Sequence, residues 1–187
     1  MFRRHAEIFY ALIVIAVVTA IYATTFALGG TFPAASSFVG HSIGVIGFLL
    51  MLMTETLYSL RKRATDARWG AMAGWLRFHI VTGLVGPYMV LLHTAMRFNG
   101  LAGIAMLLTA VVVASGIVGR YLYTALPRTV AVTSADAAVS GQAADSLASK
   151  RRAMASWHAA HVPLTWVLFA AATVHALAAL YYAALQR

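Results

Sequence analysis

Six histidines lie in or near long apolar stretches of this 187-residue chain: His41, His79, His93, His158, His161 and His175. A seventh, His5, adjoins Arg3 and Arg4 and reads as a surface group. Ionisable side chains inside apolar segments are costly and are usually retained for function. Two pairs share one spacing: fourteen residues separate His79 from His93, and fourteen separate His161 from His175. At about 100° per residue, fourteen helical steps end about 40° short of four turns, with a rise of about 21 Å. Each pair therefore puts two imidazoles on one helical face, one near each end. Trp75 precedes His79 by four residues and Trp157 precedes His161 by four, so Trp-x3-His-x13-His occurs twice, offset by 82 residues.

Imidazole nitrogen is a favoured iron ligand, and a flat macrocycle takes two axial ligands from opposite faces. If the two helices run parallel as neighbours, His79 comes level with His161 and His93 level with His175. The expectation is two bis-histidine haems stacked across a bilayer. Two alternatives stay open. The histidines could bond between helices, or they could hold a transported metal or haem; a metal transport site would more often add carboxylates, which these faces lack. Nearby small residues (Gly83, Gly86, Ala159, Ala160, Ala171, Ala172) leave room for a macrocycle, and close helix packing is the other account of them.

The remaining polar residues divide by position. His158 is seventeen residues before His175, about 100° off the shared face, and reads as interfacial. His41 opens the second apolar stretch, level with His93 and His175, and Glu55 follows it by fourteen residues on the same face. His41 and Glu55 are candidates for a quinone or proton site. Glu55 could instead form an ion pair with Arg77 or Arg120, or reach the headgroups. Arg77, Arg97 and Arg120 are candidates to pair with haem propionates, because guanidinium suits carboxylate.

Such residues must be positioned by membrane spans. Hydrophobic residues make up 61% of the chain and charged ones 10%; soluble domains run nearer half and a quarter. The excess falls in five runs, about Ile8–Leu28, Phe38–Leu60, Leu76–Met96, Leu101–Arg120 and Trp157–Ala184. Each is long enough for a hydrocarbon core of about 30 Å. A single span in lipid must satisfy its own backbone hydrogen bonds, so the expectation is an all-α integral membrane bundle of five helices forming one domain over residues 1–187. Residues 128–156, rich in Ala, Ser and Thr, read as a cytoplasmic loop, either a flexible linker or a weak surface helix.

Charge sets the expected orientation. With the N-terminus in the cytoplasm, Arg3, Arg4, Arg61, Lys62, Arg63, Arg68, Arg77, Arg120, Arg128, Lys150, Arg151 and Arg152 all fall at cytoplasmic ends. Only Arg97 and Arg187 fall outside, which places the C-terminus in the periplasm. The net charge of +9 is then read as topology and attraction to anionic lipid, not to nucleic acid. The absence of cysteine excludes disulfides, thiolate-held iron–sulfur clusters and covalent c-type haem.

The paired His-x13-His helices resemble the transmembrane part of ferric reductases and NADPH oxidases. Gly40-His41-Ser42-Ile43-Gly44, Tyr58-Ser59-Leu60-Arg61-Lys62-Arg63, Gly116-Ile117-Val118-Gly119-Arg120-Tyr121 and Trp157-x3-His161-Val162-Pro163 look like segments of small bacterial membrane cytochromes b related to that fold. The resemblance implies two haems b held by His79, His93, His161 and His175. It departs from the family in having five spans rather than six, and no Gly-rich dinucleotide fingerprint. The expected role is an electron-transfer subunit of an oxidoreductase complex in the bacterial inner membrane. It would link the quinone pool to a periplasmic or membrane redox partner. The alternative is a non-redox membrane subunit or a transporter. Gly40-x3-Gly44 is a candidate helix contact, within the chain or in an oligomer.

Overall fold

The computed structural model describes residues 6–64, 69–125 and 137–185. These form five helices: α1 (Ala6–Gly29), α2 (Phe38–Arg63), α3 (Met72–His93), α4 (Gly100–Ala125) and α5 (Ala137–Leu185). There is no strand among the described residues. All five helices are long and apolar enough to cross a membrane. Large apolar side chains, such as Ile21, Leu107, Trp166 and Leu177, lie exposed along them, as lipid contact requires. The chain is a multi-pass membrane protein.

Local chemistry sets the helix ends. Ser37 caps α2 by accepting from the Gly40 N–H at 3.1 Å, and Arg61, Lys62 and Arg63 occupy its last turn, where the helix dipole favours cations. The helix α3 stops at His93, three residues before the expected end. The Thr94 hydroxyl accepts from the Met96 N–H at 3.1 Å, and Ala95 and Met96 take positive φ (47° and 60°). The helix α5 begins at Ala137, so residues 137–156 continue span five as helix. Residues 126–136, with Arg128, lie outside the described residues, as do residues 1–5, Arg68 and Arg187.

The helices pack as two groups. The helix α2 lies along α3, and α3 also carries α1; α4 lies along α5. Membrane helices approach closely where small residues allow it. A Cβ on Gly47 would stand 2.9 Å from the Gly86 carbonyl oxygen, and one on Gly86 would stand 2.9 Å from that of Gly47. Thr54 and Thr82 share a hydrogen bond of 2.6 Å across the same seam. Ala11 of α1 packs with Val85 and Met89 of α3 in the central core. A buried ion pair between Glu7 and Arg120 joins α1 to α4. In the second group, Gly119 of α4 makes room for the indole of Trp157.

The helices α3 and α5, whose levels would match if they were neighbours, share no extended backbone contact; α5 rests on α4, and α3 on α2, α1 and α4. Gly83 and Gly86 face α2, with Thr54 and with Gly47 and Met51 respectively, so they serve helix packing rather than room for a macrocycle.

Candidate functional site

Of the four histidines at matched spacing, His79 and His93 lie on α3 and His161 and His175 on α5. His79 and His161 are within electrostatic reach of one another. His93 and His175 are likewise within reach. Each of the two levels that the spacing defines thus joins one histidine of α3 electrostatically to one of α5. Between the levels, Phe48 of α2 meets Phe169 of α5, ring centroids 6.2 Å apart.

Three of the four imidazoles are held through Nδ1. His79 Nδ1 lies 3.2 Å from the Thr54 carbonyl oxygen, and His93 Nδ1 lies 2.8 Å from that of Gly40. A carbonyl oxygen can only accept, so Nδ1 carries the proton in both rings. The hydroxyl of Ser115 donates its one proton to the Val112 carbonyl at 3.0 Å. Its oxygen must then accept from His161, which places that proton on Nδ1 too. Whenever these rings are neutral, the unprotonated nitrogen is Nε2. Metal-binding histidines are commonly oriented in this way, by donating the other ring N–H to a carbonyl or similar acceptor. His175 makes no hydrogen bond among the described residues.

Packing fixes the ring planes. Gly44 leaves space for His93: a Cβ there would stand 2.6 Å from His93 Cγ and Nδ1. Gly116 keeps the wall open beside His161, where a Cβ would stand 3.8 Å from Cε1. Trp157 stacks on His161 at 4.9 Å and 23°, and its Nε1–H donates to the Ser115 carbonyl at 2.7 Å. Trp75, at the matching place in the sequence repeat, turns to Trp69 and Phe78. Tyr58 of α2 covers His79, with ring centroids 4.7 Å apart.

The other candidates separate. His41 is exposed and lies edge-on to His93, 6.5 Å between ring centroids. Glu55 accepts from the Ser59 hydroxyl at 3.3 Å and lies within electrostatic reach of His79. Arg120 pairs with Glu7, not with Glu55. Arg77 and Arg97 are exposed. His158 is exposed, off the shared face as expected, with Nε2 3.1 Å from Lys62 Nζ. Gly40 and Gly44 make their contacts inside the chain, with Ala34 and with His93.

Sequence reasoning missed Thr54, Ser115 and Lys62 as partners of the histidines. The carbonyl of Thr54 has no sequence signature. Ser115 did have one: it stands four residues before Gly119, on the face that receives Trp157.

The arrangement suits bis-imidazole ligation of a flat macrocycle. Two imidazoles stand on α3 and two on α5, and three of the four are held through Nδ1. No cluster of three or more His, Cys, Asp or Glu that could hold a bare metal ion is found among the described residues. No family model, curated protein or solved structure matches the chain.

Proposed function

We propose that the chain is a di-haem membrane cytochrome b that carries electrons across the bacterial inner membrane, between the quinone pool and a periplasmic or membrane redox protein. One haem b would be held by His79 and His161 and the other by His93 and His175. The observation that carries this reading is the fixed Nδ1–H of His79, His93 and His161, which leaves Nε2 as the donor atom on α3 and α5 alike. Haem iron supplies one-electron chemistry at each level when bound. The protein residues hold the rings: Thr54, Gly40 and Ser115 set the tautomer, and Trp157, Tyr58 and Gly44 fix ring orientation. Phe48 and Phe169 fill the space between levels with apolar rings and keep water from it.

The likeness to ferric reductase and NADPH oxidase membrane domains supports the same reading. With the N-terminus cytoplasmic and the C-terminus periplasmic, the His79/His161 level faces the cytoplasm. A reporter fused at the C-terminus should then read outside and one inserted near residue 140 inside; the reverse result would exchange the two levels.

The deciding experiment is a reduced-minus-oxidised optical spectrum of purified protein, with haem quantified per chain. A b-type signal at two haems per chain is the expected result. No haem, with the protein folded, would leave the histidines as helix-packing groups or transport ligands.

A further inference from the structure

We propose that Lys62 and His158 form a clamp for the carboxylate arms of the tetrapyrrole held between His79 and His161. This inference rests on the di-haem reading and adds a carboxylate-binding site to it. Lys62 ends α2, and His158 lies on α5, one turn before His161. Phe48 of α2 meets Phe169 of α5 at mid-depth, and Lys62 meets His158 at the end nearer His161. The two side chains therefore meet at the end of the bundle nearer the His79/His161 level.

The chemistry of the contact is that of an anion site. An ammonium group only donates, so His158 Nε2 accepts from Lys62 over their 3.1 Å. His158 then carries its proton on Nδ1. Lys62 keeps two further N–H groups. The pair offers three donors, and no carboxylate among the described residues is paired with either member. Carboxylates are expensive in hydrocarbon, so the two on a tetrapyrrole must leave the gap near a membrane surface. His158 lies about 4.5 Å along the helix from His161, on the surface side.

The arginines are worse placed. Arg120 is engaged by Glu7, and Arg77 and Arg97 are exposed, the latter beyond the His93 end of α3.

The test compares the haem-loaded full chain with Lys62→Ala, His158→Ala and the double variant. Loss of haem to apomyoglobin is followed optically. Each protein is then reloaded with protohaem or with its dimethyl ester, which lacks the two charges. The wild type should hold the free acid more tightly than the ester, and the double variant should lose that preference. Loss from the His79/His161 level should quicken about tenfold in each single variant, the scale of one charge-assisted hydrogen bond. The other level should not change, and Lys62→Arg should restore retention. Equal retention of acid and ester by the wild type would overturn the clamp while leaving the di-haem reading intact. So would variants that lower thermal stability yet keep the preference for the acid; the contact would then be a helix strut. A wild type that binds no haem would remove both.

Discussion

The indole of Trp157 and the imidazole of His161 lie face to face on adjacent turns of α5, and both are tied to one residue of α4, Ser115. Its carbonyl takes the indole N–H and its hydroxyl takes the imidazole N–H. Ser115→Ala keeps the first bond and removes the second. An imidazole that donates to an acceptor is a stronger ligand and favours ferric iron, so the variant should raise the midpoint potential of the His79/His161 centre. The cost in stability should be about 1 kcal/mol. A redox titration checks it, with Ser115→Thr as the variant that keeps the hydroxyl. An unchanged potential in Ser115→Ala would mean the bond orients nothing.

Gly44 offers a test at the other level. His93 is pinned to Gly40 above it, so the ring cannot retreat from a new Cβ 2.6 Å away without breaking that bond. Gly44→Ala should therefore perturb the His93/His175 centre and spare the other. Gly74 is the control, because a Cβ there meets nothing within 4 Å. Gly74→Ala should leave both centres intact and stabilise α3 by up to about 1 kcal/mol. Spectra and haem counts for the two variants decide the matter.

These relationships were unevenly legible in the sequence. The spans could be read because hydrocarbon demands long apolar runs, and the face shared by His79 and His93 could be read because helical pitch is fixed. Which helix packs on which could not. Gly47 and Gly86 seat α2 on α3, and nothing in either segment names the other. The repeat does not extend to the tryptophans' neighbours: Trp157 stacks on His161, whereas Trp75 packs with Trp69 and Phe78. The carbonyls of Gly40 and Thr54 left no trace, because every residue has one. Glu7 was passed over as a span end, although burial made it the partner of Arg120.

The Glu7–Arg120 pair carries its own prediction. Glu7 is only 5% exposed and anchors the start of α1 to the C-terminal part of α4. Glu7→Gln leaves Arg120 without its carboxylate in a mostly buried place. Breaking such a pair from one side costs about 3–5 kcal/mol. Thermal unfolding in detergent should fall accordingly, while haem content at low temperature stays at two per chain. Loss of one haem without loss of stability would instead make Arg120 a cofactor anchor, the role expected from sequence.

The pairing of the ligands themselves is the most direct test. In the proposed di-haem arrangement each centre would draw one imidazole from α3 and one from α5, at one level. His93→Ala and His175→Ala should thus damage the same centre, and His79→Ala and His161→Ala the other. Losing one imidazole leaves iron with a single axial ligand, and axial ligation sets potential and much of the retention. Each variant should keep about one haem per chain, or show one altered high-spin signal beside one normal signal. His158→Ala should differ in kind. It lies about 100° off the shared face, so both centres should remain low-spin, with only the rate of haem loss raised at one level. If His93→Ala and His175→Ala perturbed different centres, the level-by-level pairing would be wrong. A high-spin centre in His158→Ala, with a normal spectrum in His161→Ala, would mean that α5 is rotated by about one residue from the face that bonds Ser115.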